Sequence, residues 1–409
     1  MASPEPTLIP TPPATATTAP QPTPTATPAP VANTLVLYAK VIARQTSPDP
    51  TALWERFYGL RTLPTLSFLD PAVFDAIYGK SEMMGDGISM FFFDFRPRLS
   101  PDGRYVLVSG LASYPEYDIE GTGTWLIDLA DGAARRLLPD GVIATWSAGS
   151  DAITYIEGDT LYTLSIAEGA TPTPLFKQEN LWGLFAHWSP DGRAIATLAF
   201  VDPETTDPAA APYAAALWLV PTNGEPARQL TVLEVFGMEY VTDQLSWSPD
   251  SQYLLALNKV FDLDGNLVSP DYPGGVYWLA NDNRMLMNGD GMSIITLAGE
   301  ELVHIDDEFA SEWVFSHDGR QLAYSQGGRD GPWRIVVYDL ETGESRPILE
   351  HSGSPLRWSG DDRFLLLGTV GDEHGERPQI AMVSVEPGGR EQLLLDYAEL
   401  VEVVPYPVR

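Results

Sequence analysis

Short apolar runs broken by small polar clusters fill the chain from residue 99 onward, and one cluster recurs. Leu99-Ser100-Pro101-Asp102-Gly103-Arg104 precedes an apolar run at 105–108. Trp188-Ser189-Pro190-Asp191-Gly192-Arg193, Trp247-Ser248-Pro249-Asp250-Ser251, Phe315-Ser316-His317-Asp318-Gly319-Arg320 and Trp358-Ser359-Gly360-Asp361-Asp362-Arg363 are followed in the same way. Degenerate copies stand at Trp146-Ser147-Ala148-Gly149-Ser150 and Trp278-Leu279-Ala280-Asn281-Asp282. The aromatic predicts the end of a buried strand. Pro presets φ for a turn, Asp bonds its own backbone, Gly takes the φ > 0 position, and the apolar run returns as a second strand. Each copy therefore reads as an antiparallel corner. A further strand, a Gly-containing turn and another strand follow it, as at Ile335-Val336-Val337-Tyr338-Asp339-Leu340-Glu341-Thr342-Gly343. The unit is four strands, a to d.

The motif positions Ser100, Ser147, Ser189, Ser248, Leu279, Ser316 and Ser359 are separated by 47, 42, 59, 31, 37 and 43 residues. Four strands repeating at roughly 40–45 residues is the pattern of a propeller blade. The expected fold is all-β: a seven-bladed β-propeller over residues 91–409. Six blades is the alternative if the short fifth unit around Trp278 is not a blade. A solenoid would show a helical repeat and distinct capping units.

The Trp-Ser-Pro-Asp-Gly corners, each followed by strands and an Asp-containing turn, resemble the WD40-like PD40 repeat of TolB-type β-propellers, over roughly residues 91–397. The resemblance implies a fold more than a function, because this fold hosts many functions. TolB resembles six blades behind an α/β domain, and that arrangement is not repeated in this sequence, so its partner-binding role is not carried over. The gating propeller of prolyl-oligopeptidase-type enzymes is similar too, but their hydrolase half has no counterpart.

Residues 34–90 lack the repeat and read as an N-terminal extension packing on the propeller. Residues 34–43 alternate as a strand. Residues 49–58, with Leu53, Trp54 and Phe57 on one stripe, read as a helix. Residues 70–78 read as a second helix, with Asp70 as N-cap and Pro71 at its first position. Either the 34–43 strand or a C-terminal strand at 400–406 is expected to complete a blade and close the ring. Residues 1–33 are almost all Pro, Thr and Ala, and read as a disordered, extended linker without apolar periodicity.

Composition narrows the function. Asp and Glu number 56 against 24 Lys and Arg, a formal charge of −32. That excludes nucleic acid as a partner on electrostatic grounds. The chain has no cysteine, which excludes disulfides, zinc–thiolate sites and a cysteine nucleophile. No apolar run is long enough for a membrane-spanning helix. A Pro/Thr spacer before a globular domain suits an extracellular or cell-envelope protein of a bacterium, and a membrane tether through a removed N-terminal anchor is expected.

In a propeller the a–b corners share one rim and the b–c loops the other. The long insertions at 111–123, 201–212 and 369–377 all fall on b–c connections. They carry the candidate ligand-binding residues Tyr114, Glu116, Tyr117 and Asp118, then Asp202, Glu204, Asp207 and Tyr213, then Asp372 and His374. Acids interleaved with aromatics suit a cationic, sugar-like or peptide ligand. The sequence therefore predicts a non-catalytic binding module for a protein or glycan ligand. The alternatives are a propeller glycan lyase or hydrolase, calcium-assisted in one version, and a structural envelope scaffold. No cofactor, catalytic residue or metal ligand is assigned. Asp262-Leu263-Asp264-Gly265-Asn266 shares part of a calcium loop but fits a hairpin turn better. His187 is expected on an inner strand, and His317 replaces the turn proline. Neither a G-x-S-x-G elbow nor a phosphate-binding P-loop occurs.

Overall fold

The computed structural model describes residues 34–45, 54–63, 81–82, 98–110, 123–139, 142–201, 213–235, 245–279, 282–289, 291–306, 310–327, 333–350, 354–370, 378–386, 391–396 and 398–405. Among these, every regular element is a β-strand, and the strands form eight antiparallel sheets. Seven follow the repeat in chain order, each built from consecutive strands. Their first strands, here called inner strands, are Arg98–Leu99, Ala144–Trp146, Leu181–Trp188, Leu245–Trp247, Gly275–Trp278, Ala310–Phe315 and Ser354–Trp358. Each ends on the aromatic position of the motif, which in the first copy is Leu99.

The fourth sheet differs. It has three strands, Leu245–Trp247, Tyr253–Ala256 and Lys259–Asp262, with an isolated Phe261–Leu267 bridge where a fourth would lie. The spacing of 31 residues thus marks the fourth unit as the short one, not the fifth. The fifth, opened by Gly275–Trp278, has four strands. The fourth unit also turns tightly between its second and third strands. Ala256 pairs directly with Lys259, and Leu257 and Asn258 take φ of 53° and 59°, the signs a two-residue hairpin turn requires.

One apolar cluster lies between each successive pair of repeat sheets. Leu107 and Leu126 of the first pack on Trp146 and Ile153 of the second, and Leu161 of the second on Ile195 of the third. Leu198 and Leu217 meet Trp247 and Leu254, and Val260 meets Met285 and Ile295. Ile294 meets Tyr324, and Val337 meets Trp358 and Leu365. The middle strands are covered on both faces, so Ala194–Phe200 and Gln321–Gln326 are buried at consecutive positions instead of alternating. The fourth strands Thr173–Lys177 and Ser345–Leu349 are half exposed and each carries a proline, Pro174 and Pro347, which blunts an outer edge. Inner strands touch across sheets: second with third, third with fourth, sixth with seventh. The sheets therefore stand radially, inner strands toward a common centre, in a propeller-like arrangement.

The eighth sheet joins the two ends of the chain. Its order is Ser81–Glu82, Trp54–Leu63, Thr34–Gln45, Ala398–Pro405. Thr34–Gln45 pairs with Trp54–Leu63 from Val36↔Leu63 to Gln45↔Trp54, and with the C-terminal strand from Thr34↔Pro405 to Lys40↔Ala398. Both candidate closing strands thus enter the same sheet. The C-terminal strand also touches Ser354–Trp358 and Pro378–Ser384 of the seventh sheet. The helix expected over residues 49–58 is corrected here, since Trp54–Leu63 is a strand. Its aromatic content favours a strand, and the partner on Thr34–Gln45 decides the matter. The helix expected at 70–78 lies outside the described residues.

Candidate functional site

The seven corners build one rim, and their chemistry is nearly constant. The motif serine accepts the N–H of the returning strand and donates to the turn aspartate. Tyr253 N donates to Ser248 Oγ at 2.9 Å, and Ser248 Oγ donates to Asp250 Oδ1 at 2.7 Å. Ser189 with Asp191, Ser316 with Asp318 and Ser359 with Asp361 repeat the bond at 2.7, 2.8 and 2.7 Å. Asp318 also accepts the Arg320 backbone N–H, which holds its carboxyl below the usual carboxylate range. These carboxylates are occupied by their own turns.

The position after the turn aspartate is left-handed. Gly103, Gly192 and Gly319 fill it at φ of 74°, 73° and 68°. In the second, fourth and seventh corners it is Ser150, Ser251 and Asp362, at 62°, 62° and 54°. Each of these three side chains accepts a backbone N–H from the preceding corner. Asp102 N donates to Ser150 Oγ at 3.0 Å and Asp191 N to Ser251 Oγ at 3.1 Å. Asp362 takes His317 N at 2.9 Å, Asp318 N at 3.1 Å and the His317 ring at 2.8 Å. Asn283 Nδ2 reaches Asp250 at 2.6 Å, so the fifth corner is clasped to the fourth. The bonds lock the rim in groups: the first corner with the second, the third with the fourth and fifth, and the sixth with the seventh.

The opposite rim is where the second strands hand over to the third. The three long insertions leave it between Gly110 and Gly123, Val201 and Tyr213, and Val370 and Pro378. Of the ten predicted ligand-binding residues, Tyr114, Glu116, Tyr117, Asp118, Asp202, Glu204, Asp207, Asp372 and His374 lie outside the described residues. Tyr213 opens the third strand of the third sheet, in register with Val235.

The inner strands carry a signal that motif reading passed over. Among the described residues their charged and imidazole side chains are Arg98, His187, Arg357 and a single acid, Glu312. Arg98, His187 and Arg357 all sit immediately before the motif aromatic. In three of the sheets the backbone at that position is held by an indole from the next sheet, whereas Trp188 Nε1 donates to Thr154 Oγ1 instead. Trp146 Nε1 donates to the Arg98 carbonyl at 2.9 Å, Trp358 Nε1 to that of Val314 at 3.0 Å, and Trp247 Nε1 to that of His187 at 2.8 Å. Burial, with Arg98 nearby, pushes His187 down to about 4, so the ring is neutral at neutral pH. Aligning the seven copies one residue upstream of the aromatic would have exposed this register.

Two other clusters resolve as structural. Ser293 Oγ lies 2.7 Å from Glu301 Oε2 and 3.3 Å from His304 Nδ1. The acid contacts the serine itself, not the far ring nitrogen, and Ser293 is buried within its sheet, so no nucleophile is presented. Asp262 accepts Asp264 N at 3.0 Å, Asn266 N at 2.8 Å and Asn266 Nδ2 at 2.9 Å, with Gly265 at φ 87°. That segment is a hairpin turn whose first carboxylate is spent on the turn. Among the described residues, no group of three His, Asp or Glu side chains converges as a metal would need.

No family model and no curated protein matches this chain. Solved structures do. A eukaryotic initiation factor superposes with a TM-score of 0.54 at 13% identity, covering 90% of this chain and 97% of that one. TolB from Acinetobacter baumannii gives 0.36 at 15% identity, over 90% of this chain and 82% of its own. An oligogalacturonate lyase from Vibrio parahaemolyticus gives 0.44 at 12% identity, over 87% and 85%. The likeness to the initiation factor is one of fold alone.

Proposed function

We propose that this chain is a non-catalytic β-propeller binding module of the bacterial cell surface or envelope, with TolB-like repeats. Its seven repeat sheets serve as blades, and the sheet uniting the two chain ends stands between the seventh and the first. The insertion-bearing b–c rim engages a protein or glycan ligand through Tyr114, Glu116, Tyr117, Asp118, Asp202, Glu204, Asp207, Tyr213, Asp372 and His374. One observation carries this reading: neighbouring corners are bonded in groups on one rim, while all three long insertions leave from the other. A fixed rim supports, and a variable rim recognises. The Pro/Thr-rich segment acts as a spacer that holds the domain off a surface.

The test is a panel of surface glycans and peptides probed with the full chain. Alanine at Tyr114, Glu116, Tyr117 and Asp207 is expected to abolish the captured signal while leaving the melting temperature unchanged. Retention of binding in a folded quadruple variant removes the rim from the function.

A further inference from the structure

We propose that the ligand of the b–c rim is a lysine- or arginine-bearing segment of a protein, and that one of its cationic side chains lies on the open face of Trp333. The inference rests on the reading of that rim as the binding face and narrows its ligand class. Trp333 stands immediately before the third strand of the sixth sheet, Arg334–Asp339, and Gly327 immediately after the second, Gln321–Gln326. Both therefore lie on the rim from which the insertions leave.

Gly327 sets how the indole lies. A β-carbon there would fall 2.6 Å from Cδ2, 2.7 Å from Cε3 and 3.1 Å from Cε2 of Trp333. Cδ2 and Cε2 are the fusion carbons of the indole, screened from any approach along the ring plane, so the ring rests on Gly327 by its face. Trp333 is nonetheless 37% exposed, and among the described residues no ring or cation is stacked on it. One face is seated on backbone and the rest of the ring meets solvent.

Sign then selects the ligand. The chain has 56 acids against 24 Lys and Arg, so its field draws cations toward an open aromatic face. Leu349 pairs with Ile335, which puts the exposed Glu350 one rung on, at the Trp333 end of the strand. Arg334, the cation next to Trp333 in the chain, alternates to the opposite face, where its Nε donates to Gln326 Oε1. Tryptophan offers the strongest cation–π attraction of the aromatic side chains. A neutral sugar would stack on the same face but gain nothing from the surrounding charge.

The test titrates tetralysine, and tetralysine with its side-chain amines acetylated, into the full chain by calorimetry at low ionic strength. Saturable binding of the charged peptide alone is expected. NMR should show its ε-methylene protons shifted upfield, the mark of an aromatic face against them. Trp333→Leu is expected to weaken binding about threefold to tenfold, and Trp333→Phe less. Gly327→Ala, which pushes the indole off its seat, should weaken it in the same direction, and Glu350→Gln about twofold. Val232→Ala, at a side chain 48% exposed on the outer strand of the third sheet, should leave it unchanged. Undiminished affinity in folded Trp333→Leu would mean that net charge alone holds the peptide, and overturns the proposal. Equal binding of the acetylated peptide, or none of the charged one, does the same. Should Trp333→Leu fail to fold, the ε-methylene shift with the unmodified chain decides, and its absence overturns the proposal. The broader reading of the rim fails separately. If alanine at Tyr114, Glu116, Tyr117 and Asp207 leaves tetralysine bound while Trp333→Leu weakens it, the indole site stands without the insertions.

Discussion

The left-handed position of the corner is met in two ways that differ in energy, not in shape. Gly103 adopts φ 74° with nothing near a hypothetical Cβ, so Gly103→Ala meets only the backbone cost, about 1–2 kcal/mol. Ser150 carries that cost already and offsets it with the bond from Asp102 N. Ser150→Gly removes both, and its stability should stay within about 1 kcal/mol of the parent. Asp362→Ala keeps the backbone cost and loses three bonds to His317 and Asp318, so about 2–4 kcal/mol is expected. Urea denaturation of the three variants checks the order; an Asp362→Ala loss no larger than that of Gly103→Ala refutes the clasp. The turn itself is legible in the sequence, because Gly and Pro leave a local signature. The clasp is not, because Ser150 and Asp362 find their partners 48 and 45 residues earlier, on another sheet.

Among the elements, the inner strand shows why the motif prefers tryptophan. Trp358 is 1% exposed between the sixth and seventh sheets, and its indole N–H reaches Val314 O at 3.0 Å. Phenylalanine would keep most of the packing and lose that bond. Trp358→Phe is expected to cost about 1–2 kcal/mol, against about 3–5 kcal/mol for Trp358→Ala, measured by thermal or urea unfolding. Equal losses would mean that the ring alone matters. The strands of the seven repeat sheets were readable because each pairs with its sequence neighbour. Residues 49–58 read as a helix in the sequence because spacing alone does not separate a helical stripe from a strand. The sheet of Trp54–Leu63 is completed by Ala398–Pro405, far along the chain. The fifth unit reads as the short one because its motif at Trp278 is degenerate, whereas the 31 residues from Ser248 to Leu279 hold the strands of the fourth. As for the candidate site, the chain order marked where the insertions leave, whereas the basic register on the inner strands emerges only when the sheets stand side by side.

For the whole molecule, pH acts through two opposing routes. Acid titrates the excess of carboxylates and relieves their mutual repulsion. It also charges His187, which the folded protein holds neutral at about 4 against an ordinary value of 6.5. The unfolded chain binds that proton first, so this contribution is complete above pH about 6.5 and is lost as pH falls toward about 4, amounting to about 3 kcal/mol. The difference in unfolding free energy between the parent and His187→Gln isolates it, and should shrink over that window. A difference independent of pH would mean that the imidazole is not held neutral. The terminal sheet adds a mechanical consequence. Thr34 and Pro405 are direct partners on adjacent antiparallel strands, so the chain enters and leaves at the same end of that sheet. Tension applied between the two ends would peel this pairing one rung at a time, at low force, instead of shearing all its rungs at once. A domain pulled by its two ends would yield there first, whereas a load carried through the outer faces of the repeat sheets would spare that seam.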